Sequence, residues 1–568
     1  MTRMPARIAS LVWCSVLAGC AALGGSQAPP MMQLMPAAGA ALKSCSGLAA
    51  SFGFAQTAID SAKNVPAGTL KVGNATVGEH CQVNGKMHQR ISPVDGQAYA
   101  IGFEMRLPRD WNGRFFYQAN GGLDGFIPPA VGAVSGGGPL THALRQGFAV
   151  ISSDAGHTVQ QLPLFGLDPQ ARLDYGYQAV AKLTPMAKAL IEAAYGQAPG
   201  RSYIGGGSNG GRHAMVAAAR LPEEYDGYLA VAPGFNLPKA AVAQLYGAQQ
   251  YAKAATDPKN LETAFTLAER KLVAGRILAR CDTLDGAADA SVEDVAGCRA
   301  AFDLQRDVPT CGGVRDGTCL SAAQKSAIGN VFAGARNSRG EPLYARFPYD
   351  PGLTYSDWAD WEFKYSVTNR DPVALGFVFQ VPPANAAIQS DLLGFALNFS
   401  MDNDAPKIFA SNATYTESAM SFMTPPNPIQ LDALRLRGAR MIVVHGNADP
   451  VFSVDDTAAW YDAVRAAYGT DAARFVRLFR VPGMGHTRGG PATDQFDALS
   501  ALVDWVERGR APERIVASAR GPGNSGGVNN DVPSSWAPNR TRPLCPYPAI
   551  ARYNGSGSLD VADSFSCR

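Results

Sequence analysis

The 568-residue sequence lacks any marked imbalance of charge: 50 Lys and Arg set against 48 Asp and Glu leave a formal net charge of +2. No electrostatic field for nucleic acid or for a membrane surface is implied. Long apolar runs are also missing, and beyond the first 20 residues no stretch is apolar for long enough to span a bilayer. The chain has no internal repeat and no low-complexity tract. Its ten cysteines include no C-x-x-C spacing, which argues against a zinc site. What remains is a globular composition, 46% hydrophobic and 17% charged, able to bury a large core. The length suits two or more domains, or one large domain with an insertion.

The first residues read as a targeting segment. Arg3 and Arg7 precede an apolar run over 8–17, too short for a membrane span and of the size of a secretory h-region. The run ends in Leu17-Ala18-Gly19-Cys20, which resembles a bacterial lipobox with Cys20 as the acylated residue. Residues 1–20 are therefore expected to be a lipoprotein-type signal peptide. The protein is expected to be exported, as an outer-membrane lipoprotein or a periplasmic or extracellular protein of a bacterium, with the anchor its only membrane contact. Eight further cysteines fall in close pairs: Cys45 and Cys81, Cys281 and Cys298, Cys311 and Cys319, Cys545 and Cys567. In an exported chain an even number reads as disulfides. Connectivity is not fixed by spacing, and pairing of nearest neighbours is the simplest arrangement.

From about residue 97 the pattern alternates strands and helices. Strands are expected over 98–106, 114–118, 148–152, 202–204 and 228–231, with helices over 175–194 and 212–220. The alternation stops after Pro233 and resumes with strands over 440–445 and 475–481 and helices over 456–468 and 496–508. This is the grammar of a mostly parallel sheet with crossover helices. The expected division is residues 21–240 and 431–568 for the two parts of the sheet domain, and 241–430 for an inserted domain placed to act as a lid.

The stretch "IGGGSNGGRHA" over 204–214 carries two motifs at once. Gly205, Gly207 and Gly210 spell G-x-G-x-x-G, a dinucleotide fingerprint. Gly206, Ser208 and Gly210 spell G-x-S-x-G, a nucleophile elbow. A dinucleotide fold puts its fingerprint in the first βα unit, whereas several strands precede this one, and a nicotinamide cofactor suits an exported protein poorly. The elbow requires an acid and then a histidine further along. Asp449 follows a strand in "VVHGNADP", and His486 follows a strand in "VPGMGH". Serine is a weak nucleophile that needs a base within hydrogen-bond reach, so Ser208, His486 and Asp449 are the candidate nucleophile, base and orienting acid. The oxyanion would be met by the backbone N–H of Asn209 and by a glycine of the Asn120-Gly121-Gly122 turn, Gly122 slightly ahead of Gly121. His157, at a strand end, is a rival base, with a structural hydrogen-bonding role favoured. His213 lies too near Ser208 in sequence, His445 reads as a buried strand residue, and Asp154 is the rival acid. An inactive hydrolase-fold binding protein is the alternative from another class.

The segment "GGGSNGGRHAMVAAARLPEEYDGYLAVAPG" resembles the tannase and feruloyl esterase family of α/β-hydrolases. The resemblance runs from about Cys45 to the C-terminus through "WNGRFFYQANGG", "CDTLDGAADASVEDVAGC", "VVHGNADPVFS", "VPGMGHTRGG" and "TRPLCPYPAIARYNGSG". It implies an α/β-hydrolase fold, a mostly parallel sheet with helices on both faces, carrying a large inserted lid. It also implies hydrolysis of esters of aromatic acids such as gallate and ferulate through an acyl-enzyme on the matching Ser208, Asp449 and His486. A branch of the family hydrolyses mono(2-hydroxyethyl) terephthalate, which is the alternative function. No organic cofactor is implied. A structural calcium ion is, held by Asp282, Asp285 and Asp289 with backbone oxygens at Ala287 and Ser291. Closely spaced carboxylates suit such a hard cation, although the glycine expected after Asp289 is Ala290.

Two departures from the family pattern stand out. Most members carry a cysteine before the serine and another after the histidine, joined as a disulfide, where this chain has Gly207 and Thr487. In the terephthalate branch a lid arginine reads the substrate's free carboxylate, three residues before a Gly-Phe pair. Here the pair is Gly376-Phe377 and the arginine position holds Val373, the nearest arginine being Arg370, beside Asp371. Trp361, Phe377, Arg370 and Phe452 are the candidate substrate contacts, and neutral aromatic esters are the expected preference.

Overall fold

The computed structural model describes residues 31–136 and 141–568; the leader with Cys20 lies outside them. One sheet of nine strands organises the chain: β1 (Thr57–Val65), β2 (His80–Ile91), β3 (Ala98–Pro108), β4 (Arg114–Gln118), β5 (Ala149–Ser153), β6 (Arg201–Gly207), β7 (Gly227–Val231), β8 (Arg440–Gly446) and β9 (Val476–Val481). Their spatial order is β9-β8-β7-β6-β4-β5-β3-β2-β1. The pairings from β9 across to β5 are parallel, and those joining β5, β3, β2 and β1 are antiparallel.

The central strands are buried on both faces, so they read as unbroken apolar runs. Successive side chains serve opposite cores. In β8, Met441 and Val443 join the core on one face and Ile442 and Val444 the core on the other. The first core is closed by α1 (Ala179–Tyr195), α2 (Asn209–Arg220) and α5 (Val454–Tyr468), the second by α6 (Ala498–Arg508). Helix α6 shows why: Leu499, Leu502, Trp505 and Val506 form one apolar stripe at helical spacing.

Between β7 and β8 the chain leaves the sheet for the insertion, which includes α3 (Leu237–Ala254) and α4 (Leu267–Cys281). Helix α3 starts a few residues before position 241. The insertion has its own aromatic core, in which Tyr251, Trp358, Phe363 and Phe377 are buried together. Four disulfides join the neighbouring cysteines, Cys45–Cys81, Cys281–Cys298, Cys311–Cys319 and Cys545–Cys567. Each such bond contributes about 2–4 kcal/mol. Among the described residues no helix is long and apolar enough to cross a membrane.

Candidate active site

Ser208 sits at the turn between β6 and α2, with φ 61° and ψ −125°. A non-glycine residue in that region carries about 1–3 kcal/mol of strain and persists only where its surroundings hold it. The Ser208 N–H donates to the Val231 carbonyl at 2.9 Å. The flanking glycines permit the turn: a Cβ on either Gly206 or Gly210 would lie 2.3 Å from the Ala119 carbonyl oxygen. The turn therefore lifts the Ser208 side chain clear of the sheet edge while its backbone stays packed.

The loops after β8 and β9 meet at this turn. His486 Nε2 lies 2.8 Å from Ser208 Oγ. Its Nδ1 lies 2.9 Å from Asp449 Oδ2 and 3.1 Å from Oδ1. Nδ1 faces only carboxylate oxygens, so it carries the proton, and Nε2 is left to accept from the Ser208 hydroxyl. Asp449 is buried and also accepts the N–H of Val451 at 2.8 Å and of Phe452 at 3.1 Å. Burial alone would raise its pKa, but the charge on His486 and hydrogen bonds from His445 and His486 hold it well below the usual carboxylate range.

His445 is the partner that sequence reading passed over. It was read as a buried strand residue, and it is buried, yet its Nε2 lies 3.2 Å from Asp449 Oδ2 and 3.0 Å from the Phe452 carbonyl. Both are acceptors, so Nε2 donates, while Nδ1 is 2.9 Å from the Thr457 hydroxyl. A histidine in the apolar run "RMIVVHG", four residues before the acid, was the available signal.

Asn209 is the first residue of α2. Its amide is clamped: Nδ2 donates to Asp124 Oδ2 at 2.9 Å, and Oδ1 accepts from Arg212 Nε at 2.6 Å. His213 Nε2 lies 3.1 Å from the same Asp124 oxygen. Burial pushes the Asp124 carboxyl well up, while burial and the Arg212 charge push His213 well down. This network beneath α2 fixes the residue whose N–H follows the nucleophile. The glycine turn lies opposite. A Cβ on Gly121 would lie 3.8 Å from Ser208 Cβ, whereas one on Gly122, at φ 65°, would meet nothing within 4 Å. The bare side of Gly121 thus faces Ser208, and that of Gly122 faces open space.

The other candidates stand elsewhere. His157 donates to or accepts from no triad atom; its Nε2 bonds the Leu123 carbonyl at 2.8 Å and its ring stacks on Phe165. Asp154 Oδ1 accepts the N–H groups of Gly102 and Gly156, each at 2.9 Å.

A cavity of about 970 Å³ opens over Ser208 and His486 and is lined in part by Gly121, Gly122, Trp361 and Arg488. Trp361 stands edge-on to His486, ring centres 5.0 Å apart. Three expected substrate contacts need correction. Phe377 is fully buried in the insertion's core, because an apolar run there fills that core and leaves no ring for the cavity. Phe452 is buried beside His486, the rings nearly perpendicular with centres 5.3 Å apart, and it supports the base without lining the cavity. Arg370 lies over Trp361 at 4.8 Å, its Nε donating to Asp371 Oδ2 at 2.8 Å and its Nη2 to Gln244 Oε1 at 3.2 Å. Two nitrogens of that guanidinium are committed to protein acceptors, Nη1 is buried without one, and the residue does not line the cavity.

In the acidic loop, Asp282 Oδ1 accepts the N–H groups of Asp289 and Ser291, and Asp285 Oδ1 accepts that of Ala287. Arg540 and Arg542 pair with Asp289 Oδ2. Asp285 Oδ2 and Asp289 Oδ1 are buried without a donor. Two such oxygens fit a cation, since a buried carboxylate oxygen left unpaired is costly. Among the described residues no three acidic, His or Cys side chains are gathered closely enough to form a metal-holding group by themselves.

Residues 81–568 match the family profile described as tannase and feruloyl esterase. The chain is similar to the mono(2-hydroxyethyl) terephthalate hydrolase of Piscinibacter sakaiensis, 39% identical over 530 residues that cover 87% of this chain and 85% of that protein. Its fold is also that of feruloyl esterase B from Aspergillus oryzae, with a TM-score of 0.71 at 23% identity over 92% of this chain and 99% of the other. A tannin acyl hydrolase from Aspergillus niger superimposes with a TM-score of 0.65 at 20% identity, over 91% of this chain and 92% of that one. The fold is thus of the α/β-hydrolase class.

Proposed function

We propose that this chain, which belongs to the tannase and feruloyl esterase family of carboxylic ester hydrolases, cleaves esters of aromatic acids through an acyl-enzyme on Ser208. The observation that carries this reading is the 2.8 Å contact of His486 Nε2 with Ser208 Oγ, on an imidazole whose other nitrogen is held by Asp449. His486 takes the hydroxyl proton as Ser208 Oγ attacks the ester carbon. The oxyanion is met by the N–H of Asn209 and by the Gly121-Gly122 turn. His486 then returns the proton to the departing alcohol, and water repeats the sequence to release the acid. Trp361 supplies a flat apolar wall beside the base, suited to an aromatic acyl group. The insertion acts as a lid over the cavity.

Neutral esters such as methyl ferulate or alkyl gallates are the proposed substrates, because Arg370 is tied to Asp371 and Gln244. Mono(2-hydroxyethyl) terephthalate is the second reading. It is favoured by the 39% identical relative and by Arg488, which is exposed, lines the cavity and has no ion-pair partner among the described residues. Intact-mass analysis after a fluorophosphonate tests the nucleophile, with one adduct on Ser208 expected; an unlabelled protein would exclude the mechanism and favour an inactive binding protein. The ratio of kcat/KM for methyl ferulate and the terephthalate monoester separates the two substrates. A terephthalate preference lost in Arg488→Ala would establish the second.

Calcium belongs to the same proposal as a structural ion. Asp282, Asp285 and Asp289, with the carbonyl oxygens of Ala287 and Ser291, would hold it in the insertion, away from the reacting atoms. The four disulfides support export to an oxidising compartment, and acylation of Cys20 would anchor the protein there.

A further inference from the structure

A second cavity, of about 530 Å³, lies behind the loop that carries Asp449, between the insertion, β9, α5 and the C-terminal segment. The esterase reading leaves it without a role. Its wall holds five arginines and four acids. The excess is concentrated at one point: Arg299, Arg346 and Arg480 all converge on the single carboxylate of Asp455, the last two at 3.5 Å. One carboxylate cannot neutralise three guanidiniums; Asp350 also faces Arg480, but Arg299 and Arg346 have no other acid paired with them among the described residues, so an anion entering here meets a locally positive field.

The floor is built for an acceptor. Asn447 is 2% exposed, and its Oδ1 accepts from Arg480 Nε at 2.9 Å. That bond fixes which end of the amide is which. Asn447 Nδ2 then remains a buried donor without an acceptor, and Arg480 Nη2 makes no hydrogen bond beyond its 3.5 Å approach to Asp455 Oδ1, an arrangement native interiors avoid unless something else supplies an acceptor. Part of the wall is apolar, with the ring of Tyr547 followed by Pro548, and Arg480 lies over that ring at 5.9 Å. Paired donors, surplus positive charge and an aromatic wall call for a flat organic anion, and the volume is in the range of small-molecule sites.

We propose that this cavity binds a small aromatic carboxylate, its oxygens on Arg480 and Asn447 and its ring against Tyr547. The aromatic class rests on the esterase reading, since such an acid is what that reaction releases; the anion site does not.

The test is calorimetric titration of the full chain with benzoate after Ser208 has been capped by a fluorophosphonate, so that the active-site cavity is closed. Saturable binding is expected, about tenfold weaker in Arg480→Gln and about threefold weaker in the exposed-site variant Arg346→Gln. Benzamide, with the same ring and no charge, should not bind. Absence of saturation, equal binding of benzamide, or binding unchanged in Arg346→Gln overturns the proposal. Displacement by inorganic phosphate at equal ionic strength would overturn the aromatic part. Should Arg480→Gln fail to fold, Arg346→Gln still decides. A Ser208 that resists capping contradicts the esterase reading and not this one, because the Arg346→Gln comparison on uncapped protein still reports on this cavity.

Discussion

His445 Nε2 lies 3.2 Å from Oδ2 of Asp449, the same oxygen that accepts from His486. A carboxylate held from two sides cannot rotate away when the imidazolium forms. Removing a hydrogen bond to a buried charge costs about 1.5–3 kcal/mol, or roughly 10–100-fold in rate. His445→Leu should therefore lower kcat for an aromatic ester by that factor with KM nearly unchanged. Steady-state kinetics on the purified variant check this; a changed KM with unchanged kcat would contradict it.

Asn209 and Arg212 should behave as a unit. Arg212→Met removes one of the two bonds that clamp the Asn209 side chain, leaving the one to Asp124, and so loosens the first turn of α2 that presents the Asn209 backbone N–H to the oxyanion. We expect a fall in kcat of about 10–100-fold, the scale of a weakened oxyanion donor, with a lowered melting temperature from the unpaired Asn209 oxygen. An unchanged kcat would show that α2 alone orients the amide.

Burial raises the Asp154 pKa to about 7. In the unfolded chain an aspartate titrates near 3.9, so between about pH 4 and pH 7 the native state binds the extra proton. The unfolded state then binds fewer protons, and this group's contribution to stability falls as pH rises through that window. Asp154→Asn cannot titrate and can keep the acceptor for Gly102 and Gly156. Denaturant melts across that range should show a smaller loss of stability with rising pH in the variant than in the wild type, with activity kept within a few-fold. Parallel curves for the two proteins would contradict it, and a collapse of activity would make Asp154 the functional acid.

Chelation tests the acidic loop. Asp289 ties the insertion to Arg540 and Arg542 near the C-terminus, and a cation bound at Asp285 Oδ2 and Asp289 Oδ1 would brace that junction. A chelator should lower the melting temperature by several degrees, and activity should follow only as the insertion loosens. Identical melts with no calcium found by elemental analysis would remove the ion.

The pair Gly207 and Thr487 marks where the family's disulfide is replaced. A Cβ on Gly207 would stand 3.3 Å from Thr487 Cγ2 but 2.2 Å from Ser135 Oγ. Gly207→Cys with Thr487→Cys should be destabilised unless Ser135→Gly is added. Thermal melts of the double and triple variants compare the two. Equal stability would show that Ser135 yields freely.

Much of this was readable from the chain because the physics was local. The alternation from residue 97 tracks the parallel strands, since strands buried on both faces must be apolar throughout, and β4 over 114–118 coincides with its expected span. Strands β1 and β2 escaped notice. "HCQVNGKMHQRI" alternates buried and half-exposed residues in the antiparallel part of the sheet, and its Gly, Lys and Gln dilute the apolar signal. Ser208, Asp449 and His486 could be placed because each needs a strand end and a tight turn. The substrate wall could not. The apolar run "ALGFVF" looks the same whether it lines a cavity or fills a core, and the insertion's packing puts Phe377 in the core. The commitment of Arg370 to Asp371 was foreshadowed by their adjacency, but its bond to Gln244 spans 126 positions and leaves no local trace.

The most direct measurement of the central claim is kcat/KM for methyl ferulate on the wild type and on Ser208→Ala, with melting temperatures recorded on the same preparations. Loss of the nucleophile with the fold intact predicts a fall of about 10⁴-fold or more at an unchanged melting temperature. A Ser208→Ala variant that keeps a tenth of the wild-type rate would contradict the assignment of Ser208 as the residue that is acylated.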